Sequence, residues 1–221
     1  METFIASAKS AEAHPPALNV STIDAAIRRI ADTGSADILF AFICELIPPW
    51  RDSILRRRIV MLLGIISDSH ENMPLIKKAV ELLNERNADL VLHAGDLISP
   101  ISAKEFEKLK CRMVAVFGNN DGEKKMWRER IKNFGEIHDA PFKLVAGGKK
   151  ILLMHSPDDL KKLAESQKYD VIIYGHTHKP DIHSFGKTLV VNPGELGGWL
   201  YGKSTMGLLN IPELKAEIIP L

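Results

Sequence analysis

The chain is 221 residues long, 45% hydrophobic and 26% charged, with 29 Lys and Arg against 28 Asp and Glu. That length makes one domain of ordinary size plus an appendage, and the near-neutral balance leaves no overall field to favour nucleic acid or an anionic membrane. Cys44 and Cys111 have no C-x-x-C partner, which excludes a disulfide framework and reads as two reduced core residues.

Residues 1–60 lack the regularity of the rest of the chain. Residues 1–20 include Pro15 and Pro16 and show no periodicity, as in a loose tail. Ser21-Thr22-Ile23-Asp24 can cap a helix over 23–31, with Ile23, Ile27 and Ile30 on one face. A second helix is predicted over 36–46 and stopped by Pro48-Pro49. The apolar run 38–47 contains Glu45 and falls well short of the ~20 residues that cross a membrane. The basic stretch 51–58 reads as a solvated face. Nothing at the start has the order of a signal peptide, so a cytoplasmic protein is the expectation. The compact domain is expected to begin at Met61, leaving residues 1–60 as an N-terminal extension of unassigned structure or an over-called start.

From Met61 the pattern is regular. The first strand runs to Ile66, and Pro74 after Asn72 opens a helix to about Arg86, with Leu75, Ala79, Leu82 and Leu83 inward. A strand at 90–94, a helix at 101–109, a strand at 113–117 and a helix at 123–133 come next. Strands alternating with helices predict parallel βαβ pairing. The second half is richer in strands. Residues 142–145, a Gly147-Gly148 turn and 150–154 form a hairpin. Ser156-Pro157-Asp158-Asp159 then caps a helix to about Gln167. A strand at 171–174 precedes short strands near 182–185, 188–191, 205–210 and 216–219. The fold class is α/β, with two packed mixed β-sheets flanked by helices.

Five of these apolar runs end on metal-capable residues. They lead into Asp68-Ser69-His70, Gly95-Asp96, Gly118-Asn119-Asn120-Asp121, His155, and Gly175-His176-Thr177-His178. In open α/β sheets the ligand crevice lies at the carboxyl ends of strands. Asp68 and His70 are two apart, as are His176 and His178, so in extended geometry each pair points one way. Carboxylates with imidazoles suit Mn, Fe, Co, Ni or Zn better than a thiolate-loving metal. Asp68, His70, Asp96, Asn119, His155, His176 and His178 are too many for one tetrahedral ion and about right for two sharing a carboxylate.

Singly, an Asp or His at a strand end is more often a turn or cap residue than a ligand; the recurrence carries the reading. His93 lies inside a strand and reads as a hydrogen-bonded core histidine. His14, His138 and His183 have no motif and read as surface residues. Asn72 either holds a phosphate or caps the helix before Pro74. Asp121 either orients Asn119 or His155 or opens the next helix. Asn192-Pro193-Gly194 reads as a turn. The stretch 194–202, with Trp199, Leu200 and Tyr201, reads as core packing first and as a pocket wall or subunit contact second, which leaves a homo-oligomer open.

The five motif blocks, in this order, resemble those of the calcineurin-like metallophosphoesterases. Ser67-Asp68-Ser69-His70 together with Val191-Asn192-Pro193-Gly194 resembles the small prokaryotic phosphodiesterase branch related to eukaryotic Vps29. The resemblance spans 61–221 and implies a metallophosphoesterase domain there, a four-layer αββα sandwich. It implies two divalent ions per chain, manganese first, with nickel, iron, cobalt or zinc as alternatives. Asp68, His70 and His178 would hold one ion, Asn119, His155 and His176 the other, and Asp96 would bridge. The implied reaction is hydrolysis of a small phosphodiester by in-line attack of a metal-bridging hydroxide. The alternatives are a phosphomonoesterase or nucleotidase, and a Vps29-like scaffold without catalysis; keeping all seven ligands favours catalysis. Two departures stand out. Asn120 occupies the position where the family often has a proton-donating His, so no catalytic side chain is implied beyond the hydroxide. His155 is followed by Ser156-Pro157, where many relatives have Gly-His.

Overall fold

The computed structural model describes residues 60–221. The expected tail, the helices over 23–31 and 36–46, the basic stretch 51–58, His14 and Cys44 lie outside the described residues.

The first half is β1 (Met61–Ile66), α1 (Met73–Glu85), β2 (Leu90–His93), a 3-10 turn (Pro100–Ser102) running into α2 (Ala103–Phe106), β3 (Arg112–Val116), α3 (Lys124–Arg130), a second 3-10 turn (Ile131–Asn133) and β4 (Gly135–His138). The second half is β5 (Phe142–Ala146), β6 (Lys149–Leu153), α4 (Leu160–Glu165), β7 (Val171–Ile173), β8 (Asp181–Phe185), β9 (Thr188–Asn192), β10 (Thr205–Ile211) and β11 (Lys215–Pro220). One sheet has the order β11-β10-β1-β2-β3-β4, the other β5-β6-β7-β9-β8. Strands β1 to β4 are parallel, with β10 and β11 antiparallel at one edge. In the second sheet β6, β7 and β9 are parallel, flanked by antiparallel β5 and β8. Both sheets are therefore mixed.

Strand alternation builds the layers. Leu63, Ile65, Leu92, Val114 and Val116 of the first sheet meet Ile151, Leu153, Val171, Ile173 and Val191 of the second in one buried cluster. The alternate residues Val91, Met113 and Ala115 face outward, under Ile76, Val80 and Leu83 of α1, Phe106 of α2 and Trp127 of α3. On the far side Leu152, Ile172 and Val190 pack against Ala164 of α4. The result is helix, sheet, sheet, helix, the four layers expected. Gly64 favours this stacking: a Cβ there would meet the terminal methyl of Leu83, so its absence lets that side chain of α1 sit close on β1.

The differences from expectation are local. The inward face of α1 is Ile76, Ala79, Val80 and Leu83, with Leu75 and Leu82 only half-buried. The sequence there contains two overlapping stripes of helical spacing, and the orientation on the sheet selects the second. Strand β4 went unpredicted because Gly135-Glu136-Ile137-His138 carries a single aliphatic residue at a sheet edge. The helix over 101–109 is instead a 3-10 turn joined to one short α turn. Helix α4 starts later than its sequence cap suggests: Ser156 Oγ donates to Asp158 Oδ2, and Asp159 is left-handed with no side-chain cap bond. Among the described residues no helix is long and apolar enough to cross a membrane. Cys111 is a free thiol, half-buried, and burial pushes its pKa up to about 11.

Candidate metal centre

The parallel strands of both sheets deliver their carboxyl ends to one place. The loop after β1 carries Asp68 and His70, the loop after β2 Asp96, and the loop after β3 Asn119, Asn120 and Asp121. From the second sheet come His155 after β6 and His176 and His178 after β7. The loops are laced together by backbone: the Asp68 N–H donates to Gly95 O at 2.9 Å, His70 N–H to Asp96 O at 3.1 Å, and Gly175 N–H to His155 O at 3.0 Å.

The convergence does not come from extended alternation, as the two-residue spacings suggested. Strand β1 ends at Ile66 and β7 at Ile173, before either pair. Asp68, His70, Asp96, His176 and His178 instead have φ of 52°, 41°, 59°, 66° and 59°, all left-handed. Non-glycine residues held there cost about 1–3 kcal/mol each and concentrate where function requires them. In both pairs two such residues flank one of ordinary conformation, and that arrangement turns both side chains inward.

Two groups of donor atoms result. Asp68, His70 and His178 form one, and Asp68, Asp96 and His155 form another, the atoms of each lying within 4.8 Å of one another. His178 Nε2 is 3.5 Å from Asp68 Oδ1. Asp96 Oδ2 lies 3.5 Å from His155 Nε2 of its own group and 3.6 Å from His70 Nε2 of the other. Asn119 Oδ1 is 2.8 Å from His155 Nε2 and 2.9 Å from His176 Nδ1, so it joins the second group. His155 Nδ1 faces the Ala94 carbonyl at 2.8 Å. A proton placed there leaves the lone pair of Nε2 facing the oxygens of Asn119 and Asp96.

These residues fit a divalent cation. Asp68 Oδ1 and His70 Nε2 are buried without a hydrogen-bond partner, a costly state unless something charged completes them. Burial holds the Asp68 carboxyl above the usual carboxylate range, opposed by the Ser67 hydroxyl, His155 and His178. The donor set is oxygen and nitrogen only, the chemistry of Mn, Fe, Co, Ni or Zn. All seven sequence-predicted ligands are thus brought together.

Other predicted residues take different parts. Asn120 binds Asp96 on both oxygens, donating its backbone N–H to Oδ1 at 2.9 Å and its Nδ2 to Oδ2 at 2.7 Å. Asp121 accepts from the backbone N–H groups of Gly118 (2.6 Å), Asp96 (3.1 Å) and Ile98 (2.6 Å), which fixes the β2 and β3 loops together. Burial raises its carboxyl pKa even so. Asn72 neither caps α1 through its side chain nor points free into the site; its Nδ2 donates to Gly197 O at 2.8 Å. His93 is fully buried, with Nε2 3.1 Å from Ser69 Oγ and Nδ1 accepting from Gly95 N–H at 3.2 Å. Burial pushes it down to about 3, so it is a neutral brace, as its place inside a strand suggested. His138 stacks on Phe142, and His183 Nδ1 is 2.8 Å from Asp181, both away from the centre.

Two supports were missed in the sequence. Glu195 is buried, with Oε2 3.4 Å from the otherwise unpartnered Nδ1 of His178, and it accepts from the backbone of Trp199 and Leu200. Asn192 accepts from Gly194 N–H at 2.9 Å within the expected turn, and its Nδ2 also donates to Gly175 O and Thr177 Oγ1, both at 3.0 Å, so the turn braces the β7 loop. Both lie at the end of β9, a strand end with no histidine to draw attention to it.

Known proteins resemble this chain in sequence and fold to different degrees. The sequence model of the calcineurin-like phosphoesterase superfamily domain matches residues 61–213. A phosphodiesterase of Methanocaldococcus jannaschii is 39% identical over 161 residues, covering 68% of this chain and 93% of the relative. The solved structure of a novel archaeal phosphodiesterase superposes with a TM-score of 0.70 at 37% identity, covering 73% of this chain and all of that one. Vacuolar protein sorting 29 from Cryptosporidium parvum superposes with a TM-score of 0.55 at 18% identity over 74% of this chain and 97% of its own, a likeness of fold.

Carboxylates behind ligating histidines commonly set affinity by 10–100-fold. Glu195→Gln is therefore expected to weaken Mn²⁺ binding by about that factor while the apoprotein still unfolds cooperatively. Calorimetric titration of the two proteins with Mn²⁺ checks it; equal affinities would assign Glu195 to the 194–202 loop alone.

Proposed function

Because the chain belongs to the calcineurin-like phosphoesterase superfamily, a family of metal-dependent hydrolases, we propose that it hydrolyses small phosphodiesters at a centre of two divalent ions. When bound, such a pair supplies an acidified water for in-line attack on phosphorus and positive charge for the phosphoryl oxygens. Asp68, His70 and His178 would hold one ion, Asn119, His155 and His176 the other, with Asp96 as the carboxylate available to both. Manganese is the first choice, and nickel, iron, cobalt or zinc suits the same donors. Residues 61–221 form the catalytic domain in this reading.

The observation that carries it is Asp96 Oδ2, set between His70 Nε2 and His155 Nε2 at 3.6 and 3.5 Å. A non-catalytic scaffold would keep buried, unpartnered donors and five strained backbone positions to no purpose. The remaining residues position rather than react. Asn120 steadies Asp96 and, as an amide, has no proton to transfer to a departing oxygen. A good substrate must then carry its own leaving-group stability, which disfavours alkyl monoesters and favours diesters with acidic leaving groups.

The direct test is turnover of bis(p-nitrophenyl) phosphate with Mn²⁺. Asp96→Asn should lose several orders of magnitude in kcat while remaining folded, since it weakens both sites at once. Near-wild-type turnover in Asp96→Asn would contradict the shared-carboxylate reading.

A second test concerns Asn120. Across diesters graded by leaving-group pKa, the wild-type rate should fall steeply as the leaving group becomes more basic. General acid catalysis is typically worth ~10²–10⁴-fold, so Asn120→His should flatten the slope and help alkyl esters most. Equal, shallow slopes in both proteins would mean that another group already donates the proton.

A further inference from the structure

On one flank of the metal centre a groove of about 340 Å³ is lined by His178, Lys179, Pro180, Tyr201, Lys203 and Thr205. His178 belongs to both, so the groove adjoins the site. That volume lies at the lower end of ligand pockets, roughly 300–1,000 Å³. Its lining carries two ammonium groups and no carboxylate. The nearby Glu195 is turned away, buried against His178 Nδ1 and the N–H groups of Trp199 and Leu200. Thr205 Oγ1 is occupied by Pro193 O at 2.7 Å. Apart from the Tyr201 hydroxyl, the side-chain polar capacity left in the groove is therefore cationic.

The groove is also held in shape. The Lys179 ammonium sits 5.5 Å from the centroid of the Tyr201 ring, within cation–π range. Tyr201 lies on the 194–202 stretch, which is tied to the centre by Glu195 and by Trp199 Nε1 donating to His70 O at 3.3 Å. Asn72 binds the same stretch at Gly197 O. Neither Lys179 nor Lys203 has an acidic partner among the described ion pairs, so both charges are free to meet a ligand.

We infer that this groove receives a second anionic group on one arm of the substrate, so that the preferred substrate class is a phosphodiester bearing an additional phosphate. The inference rests on the phosphodiesterase reading above. Lys179 and Lys203 recognise the extra phosphate while the diester occupies the metal centre across His178. Pro180 and the Tyr201 ring form the apolar wall along which the connecting arm lies. The two lysines act on specificity and leave the chemistry of the scissile bond to the centre.

The test uses the full chain with Mn²⁺ and two chromogenic substrates, thymidine 5′-(p-nitrophenyl phosphate) and the same compound carrying a 3′-phosphate. Exposed ion pairs contribute at most a few-fold each, so wild type should favour the phosphorylated compound in kcat/KM by roughly tenfold. That preference should shrink as salt rises. In Lys179→Gln/Lys203→Gln the ratio should fall to about one. Lys187→Gln, in the β8–β9 turn at the opposite end of β9, should keep the wild-type ratio. A wild-type ratio near one, or an equal loss on both substrates in the double variant, overturns the inference and leaves the phosphodiesterase reading standing. Failure of wild type to release nitrophenol from any diester overturns both.

Discussion

The structure depends on burying two carboxylates, Asp68 and Asp96, among imidazoles where two sheets end together. Taking such charges from water is costly unless positive charge meets them. The surrounding histidines cannot fully serve: His155 faces a backbone carbonyl through Nδ1, and Asp68 Oδ1 and His70 Nε2 have no hydrogen-bond partner. The arrangement makes physical sense around cations, and most of the neighbouring structure serves to hold it in readiness for them.

That holding is done by residues that need never touch substrate. Asp121 gathers three backbone N–H groups from the β2 and β3 loops. Asn120 fixes both oxygens of Asp96, Asn192 braces the β7 loop, and Glu195 stands behind His178. Left-handed backbone at Asp68, His70, Asp96, His176 and His178 is tolerated because these bonds and the four-layer core over-determine it. Asn120 gains a role here that its chemistry alone did not suggest: where a proton donor would serve the leaving group, this chain places an amide that steadies the central carboxylate.

Much of this was legible in the sequence. Strands β1, β2, β3, β6 and β7 are apolar runs ending in Asp, Asn or His, and the parallel topology that gathers those ends comes from their alternation with helices. The inward direction of Asp68, His70, His176 and His178 was anticipated for the wrong reason, since strand alternation stops before them. Asp and His are among the residues that favour positive φ, but that bias is too weak in a single sequence to place it at particular positions. Glu195 was missed because a carboxylate in a Gly-rich apolar stretch has no periodic partner; only the fold brings it to His178. Asn72 stands at the N-cap of α1 as its place before Met73-Pro74 suggested, but its side chain goes to Gly197 O, a partner that only tertiary structure supplies. The inward face of α1 slipped by a residue because two stripes of equal quality share Ala79 and Leu83.

The central claim is that Asp96 holds two ions at once, and metal stoichiometry tests it most directly. Elemental analysis of the full chain, equilibrated with saturating Mn²⁺ and then freed of unbound metal, should find two ions per chain. Activity should rise with the second ion rather than the first. A single ion per chain supporting full phosphodiester turnover would contradict the account.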